Sequence, residues 1–466
     1  MKFKLSVITF FLSVILIIQQ SFSQLGNQNM ALLSNLNQHY ASQLYSACWG
    51  YRAPNGREYA ILGCPTGTAF VDITDSTNIH EVGFKTGNAS SWREMKVYSH
   101  YAYIVSEAAS SGLQIVDLQY LPDSIHFVRT FTYTNYDHTH SISQDGPYLF
   151  INGGNVSVGQ ADPGGVTILD LTNPELPVKR GSWGNYYVHD CRVRQDTIWA
   201  CNIYNPPGTI SVINASNKDA LSTINSWVNN PNPFPHNCAL FPGRTYIATT
   251  DETAAPNGKL KIWNISNLNN VTFVTSWQPT GITTAIVHNV ELYNNGTLAV
   301  IAHYTAGIRV VNVSNPAVPV EVAFYDTYPL NNGNSFNGVW GVFMFPSGKI
   351  IASDRNTGLY TFRPTIPITG IINQNNNPID FELKQNYPNP FNPSTRIDFS
   401  VPKSSNITLL VYDAVGRQVA LLADEYKQSG NYSVSWDAGR LSSGVYFYTL
   451  QTDNGFVQTK KMTLVK

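Results

Sequence analysis

Short apolar runs separated by polar turns fill the chain from about residue 44 to 363, and they recur in a fixed order. Two apolar strands joined by a tight polar turn form the commonest unit, as in MKVYSHYAYIVSE (95–107), VELYNNGTLAVIAH (290–303) and VFMFPSGKIIASD (342–354). Asn-Gly and Ser-Gly in these turns tolerate positive φ, which two-residue hairpins require. A third strand follows with its own wording: Gly, a few residues, two or three apolar ones, then Asp or Asn. It is written GTAFVDIT (67–74), GLQIVDL (112–118), GVTILDLTNP (165–174), GTISVIN (208–214), GKLKIWNIS (258–266), GIRVVNVSNP (307–316) and a truncated GLYTFRP (358–364). The polar marker falls at Asp72, Asp117, Asp170, Asn214, Asn264, Asn312 and Arg363. A second marker opens each unit, at Trp49, Trp92, His140, His189, His236, His288 and Trp340. A fourth strand such as VEVAFYDT (320–327) completes the set. Four strands in about 50 residues is the period of a propeller blade. The pattern therefore predicts an all-β, seven-bladed β-propeller over 24–363. The last unit stops after its third strand, so NMALLSNLNQHY (29–40) is expected to supply the closing strand and remove the open edge.

The ends of the chain read differently. Residues 1–23 have Lys2 and Lys4, an apolar stretch from Leu5 to Ile18, and small residues Ser21 and Ser23, the pattern of an export signal peptide. That stretch is shorter than the roughly 20 residues needed to span a bilayer, and no later segment qualifies, so no transmembrane helix is expected. Residues 364–380 are Pro- and Asn-rich and read as a linker. Residues 381–466 hold short alternating strands such as STRIDFSV, ITLLVYDAVGRQV and GVYFYTLQT, which predict a small Ig-like β-sandwich.

Composition narrows the function classes. The chain has 466 residues with Lys+Arg 29 against Asp+Glu 30, a net charge of −1, which excludes a basic nucleic-acid binder. Five cysteines in an exported chain allow two disulfides. Cys48 with Cys64, and Cys191 with Cys201, flank expected hairpins and are the candidate pairs, with buried free thiols the competing reading.

Candidate chemistry gathers at one end of the expected ring. The Trp/His marker starts the innermost strand of each blade. His140, His189, His236 and His288 occupy it in four consecutive blades, flanked in the series by Trp49, Trp92 and Trp340. The second strand returns to the same face, where Glu107, Asp251, Glu252, His303 and Asp354 stand. Imidazole and carboxylate suit a divalent transition metal. His189/Cys191 and His236/Cys238 share a side of a strand. The competing reading is structural, because one polar residue per repeat serves equally as a hydrogen-bonding device between blades. No GxSxG, HExxH or phosphate-binding loop is present.

Two resemblances stand on quoted residues. CWGY (48–51), REYAILG (57–63), HYTAGIRVVNVSNP (303–316), FNGVWG (336–341) and FPSGKIIASD (345–354) resemble exported bacterial propellers with LVIVD-type repeats, the choice-of-anchor B proteins. That resemblance implies fold and export but no activity. NYPNPFNPST (386–395), VYDAVGRQV (411–419), GNYSVSWDAGRLSSGVYFYTL (430–450) and KKMTLVK (460–466) resemble a type IX secretion sorting domain, type A. It implies Sec export, then passage through the type IX machinery to the surface or exterior of a Gram-negative bacterium. The expected function is a protein- or glycan-binding module at the cell surface. The alternative is a metal-dependent lyase, hydrolase or oxygenase with an axial His-lined site.

Overall fold

The computed structural model describes residues 26–39, 44–134, 136–154, 164–231, 233–253, 259–366, 381–402, 405–427, 430–453 and 455–466. The expected signal segment lies outside the described residues, as does 367–380 of the expected linker. The chain divides into two compact units, Met1–Ile368 and Thr369–Lys466.

Among the described residues, the first unit consists of seven antiparallel sheets built on four strands each. Their innermost strands are Cys48–Arg52, Arg93–Tyr98, Ser141–Asp145, Asp190–Arg194, Pro235–Leu240, Val290–Tyr293 and Val339–Met344. Each neighbours the next, and the last returns to the first, which makes the ring of a propeller. We number the blades 1 to 7 in that order. Met30–Leu36 is the outermost strand of blade 7, antiparallel to Gly358–Pro364, with Met30 opposite Pro364. Pro364 was expected to open the linker and instead ends this strand. Asn27–Gln28 goes one step further and adds a short fifth strand to blade 6, opposite Phe324 and Tyr325.

The middle strands are buried on both faces because a blade packs against a neighbour on each side. In blade 1, Tyr59 and Ile61 enter a core shared with Met95, Ala102 and Ile104 of blade 2. Ala60, Leu62 and Cys64, the alternate residues, enter a core with Phe345 and Ile351 of blade 7. Such strands lose the apolar–polar alternation and read as continuous apolar runs. Outer strands such as His126–Phe131 keep a largely exposed face.

The repeat markers have local causes. Asp72, Asp117, Asp170, Asn214, Asn264 and Asn312 each accept a hydrogen bond from the backbone N–H two residues on, at 2.8–2.9 Å. These Asx turns leave the third strand and start the connection to the fourth. The glycine opening the third strand is needed where the chain passes close to the fourth. At Gly307 (φ 79°) a Cβ would strike the Tyr325 carbonyl, and at Gly358 (φ 89°) the Leu36 carbonyl.

The second unit is a two-sheet sandwich. Glu382–Leu383, Ser394–Val401 and Gly430–Asp437 form one sheet. Ser405–Asp413, Gln418–Lys427, Gly444–Thr452 and Val457–Leu464 form the other. Ile397, Phe399, Leu409, Tyr448, Leu450 and Met462 lie in its core.

All five cysteines are free thiols, which corrects both disulfide expectations. The two-residue turn at Gln195-Asp196 sets Cys191 opposite Ala200 and Cys201 opposite Asp190. Adjacent registers point to opposite faces, so Cys191 and Cys201 enter different cores. Cys48 lies opposite Leu62, with Cys64 two residues beyond on the same face. A diagonal of that kind, at about 7–8 Å, is too wide for a bridge.

Candidate functional site

The axial slot is defined by a repeated backbone bond. Ser46, His189 and His288 donate their N–H groups to Gly63, Cys201 and Ala302, the corresponding carbonyls of the second strand, at 3.0, 2.9 and 2.9 Å. By this register the slot holds Ser46, Trp92, His140, His189, His236, His288 and Trp340. Trp49 is therefore displaced from it. Its ring sits deeper, under the Lys96 ammonium at 3.9 Å and against Phe343.

Six of the seven slot residues form a continuous arc of rings. Centroid separations are 4.0 Å for His140–His189 and 4.3 Å for both His189–His236 and His236–His288. They continue at 4.5 Å for His288–Trp340 and 5.6 Å for Trp340–Trp92. The space these rings line is about 20 Å³, room for roughly one water, so the axis is filled rather than an open pore.

Of the five residues expected from the second strands, two reach this arc. Glu107 lies 2.5 Å from His140 Nδ1. Glu252 faces two imidazoles, 3.5 Å from His236 Nε2 and 3.6 Å from His288 Nε2. The other three serve the fold, which corrects their placement at the axis. Asp251 is sealed in blade 5, 2.7 Å from Lys261 Nζ and 2.6 Å from Asn229 Nδ2. Asp354 accepts from the Thr327 hydroxyl at 2.5 Å and from the N–H groups of Asn356 and Thr357, closing a turn. His303 is buried in blade 6 with Nδ1 unpartnered. The cysteines of the two His-x-Cys pairs lie in inter-blade cores: Cys191 with Val188 and Ile213, and Cys238 with Trp199 and Cys201.

The residues that directly follow the histidines are structural. Asp190 accepts from the Asn237 amide of the next blade, and Asn237 accepts from the N–H of Val290 at 3.1 Å. Glu94 accepts from the N–H of Ile142 at 3.2 Å. These bonds tie blade 2 to 3, 4 to 5 and 5 to 6. Beneath them, Arg192 pairs with Glu291 at 2.8 Å. The polar repeat thus splits into two layers, a hydrogen-bonded belt in which Asn289 Oδ1 stays unpartnered, and an imidazole arc above it.

The arc is less satisfied. His189 and His236 are buried with Nδ1 unpartnered. Burial, then the charge of neighbouring imidazoles, holds both well below the ordinary histidine value. Burial likewise lowers His288, against the bond that its Nδ1–H donates to the Trp340 carbonyl at 2.5 Å. His140 moves the other way: burial opposes its charge, but the Glu107 hydrogen bond and charge together raise it. Burial pushes Glu252 up to about 7.

Two residues not among the candidate site residues complete the site. Tyr304 donates its hydroxyl to Glu252 at 2.6 Å. The Arg355 guanidinium lies over Trp340 at 4.7 Å and Trp92 at 5.2 Å, with Nε and Nη1 unpartnered. Around the arc stand exposed aromatics. Trp92 is 36% exposed, Tyr204 64% and Phe336 51%, and each touches a ring of the site. Tyr204 packs on Tyr187 and His189, and Phe336 on Tyr304.

The fold and repeat define the first unit as an all-β propeller and the second as a separate β-domain. Comparison with known families specifies both. Residues 289–327 match the LVIVD repeat, and 385–465 match the secretion system C-terminal sorting domain. The LVIVD match covers the inner hairpin, third and fourth strands of blade 6. A comparison with curated proteins gives no match.

Proposed function

We propose that the protein is an exported binding module whose protein or glycan ligand seats on the axial mouth of the propeller. The observation that carries this reading is the rim of exposed aromatics, Trp92, Tyr204 and Phe336, around a polar floor of Glu107, Glu252 and Arg355. Large rings beside a few buried polar groups are what binding sites present to a ligand. The sorting domain at 385–465 supports delivery to the cell surface or exterior by the type IX machinery. Among the described residues no helix is long and apolar enough to cross a membrane. We read 1–23 as the Sec leader that precedes that step.

A screen of the exported protein on immobilised glycans and peptides tests the ligand reading. Hits are expected to fall at least 10-fold with Tyr204→Ala or Phe336→Ala, each with unchanged thermal unfolding. Hits indifferent to both substitutions would overturn it. Delivery is tested by deleting 381–466, which should leave the propeller folded and retained in the periplasm, since the two units have separate cores. Normal display of the truncated protein would contradict that.

A further inference from the structure

We propose that the imidazole arc binds one divalent transition-metal ion through His236, His288 and Glu252, with His189 completing the set. Three distances carry this. The Glu252 carboxylate oxygens lie 3.5 and 3.6 Å from the Nε2 atoms of His236 and His288. That is longer than an ordinary hydrogen bond. It matches two ligands of one tetrahedral ion, which bonds of about 2.0–2.2 Å place roughly 3.4 Å apart. One ligand atom from each of His189, His236 and Glu252 also lies within 4.8 Å of the other two.

The surroundings favour a cation over a merely structural cluster. His288 donates Nδ1–H to the Trp340 carbonyl, so its Nε2 lone pair is turned toward Glu252. Tyr304 donates to Glu252 Oε1, the oxygen nearer His288, and so fixes the carboxylate. Metal sites hold their ligands through such outer partners. The His236 ligand atom is Nε2, the nitrogen that faces Glu252, and its buried Nδ1 meets no protein group either way. His140 stands outside the set because its Nδ1 is committed to Glu107. Mixed imidazole and carboxylate donors select zinc, iron, manganese or cobalt over the all-oxygen preferences of magnesium and calcium.

The proposal concerns the floor of the mouth and is independent of what seats on the rim. Exported full-length protein, stripped with chelator, is titrated with ZnCl₂ by calorimetry and with CoCl₂ by visible absorption. One ion per chain is expected, with the d–d bands of a low-symmetry cobalt site, and no competition from excess Mg²⁺ or Ca²⁺. Glu252→Gln and His236→Ala should each weaken Zn²⁺ about 100-fold or more. His303→Gln, at a buried histidine off the axis, should bind as wild type does. If His236→Ala fails to fold, the near-isosteric Glu252→Gln decides. Absence of saturable binding by wild type, or unchanged binding by Glu252→Gln, overturns the proposal. Loss of glycan or peptide hits with intact Zn²⁺ binding bears only on the rim.

Discussion

One side of the axial ring is imidazole and the other is indole, although both occupy the same backbone slot. On the imidazole side, Glu107 pairs with His140, and Glu252 faces His236 and His288. On the indole side, Trp340 and Trp92 are covered by a cation, Arg355. Carboxyl groups stand beside the imidazoles, and a guanidinium lies over the indole π-faces. The consequence differs. The indole arc is packed under Arg355, whose Nε and Nη1 stay unpartnered. The imidazole arc keeps unmet nitrogens and a buried carboxylate, which is what a ligand-ready surface requires.

That contrast can be broken from the indole side first. Trp340→Ala removes a ring that is 7% exposed and touches Trp92, His288 and Arg355. It should cost about 3–5 kcal/mol of propeller stability, read as an earlier transition in denaturant. A loss under about 1 kcal/mol would show that the indoles are a rim rather than a structural closure.

The next largest effect separates two neighbours in sequence. Asp251 pairs with Lys261 inside blade 5, whereas Glu252 faces the axis. Lys261→Met strands Asp251 and should destabilise the propeller by about 3 kcal/mol while Zn²⁺ binding persists. Zinc binding that weakens in proportion would place Asp251 in the site after all.

A pH experiment sharpens the comparison with a histidine that belongs to neither arc. Burial, then the charge of Arg309, holds His303 down at about 3, against an unperturbed value of 6.5. The unfolded chain therefore takes up a proton that the folded chain refuses. Stability from this group is complete above about pH 6.5 and falls by roughly 1.4 kcal/mol per unit as pH drops toward 3. His303→Leu should flatten the acid dependence by that slope, measured with chelator present. Parallel curves for variant and wild type would contradict its burial as a neutral ring.

The smallest effect belongs to Glu252. Without metal, Glu252→Gln should change stability by less than about 1 kcal/mol, since burial already favours the neutral carboxyl that glutamine mimics. Destabilisation above about 2 kcal/mol would make Glu252 a structural group like Asp251.

Much of the architecture is legible in the sequence because each blade repeats its own local chemistry. The Asp/Asn marker is an Asx turn and the preceding glycine a close approach, so both survive wherever the strand order survives. Four of the slot histidines were visible for the same reason. What escaped is set by register or by contacts between blades. Blade 1 fills the slot with Ser46, a residue with no pattern of its own, and Trp49 nearby took its place in the series. Asp251 and Glu252 are one residue apart, and only the strand's end decides which faces the axis. The Cys191–Cys201 expectation failed by a single register step that the Gln195-Asp196 turn already implies. Tyr304 and Arg355 directly follow His303 and Asp354, as Glu252 follows Asp251, so the same one-residue step hid them. Asn27–Gln28 joins blade 6 through pairing that no repeat announces.

Crystals of the exported protein, purified without chelator and exposed to ZnCl₂, allow the direct measurement: an anomalous difference map at the zinc edge. The account expects one peak at about 2.0–2.2 Å from the Glu252 carboxylate, a ring nitrogen of His189 and the Nε2 atoms of His236 and His288, with the Trp92–Trp340 side empty. A map without a peak in the arc, with Glu252 instead hydrogen-bonded directly to His236 or His288, would return the four histidines to a purely structural role.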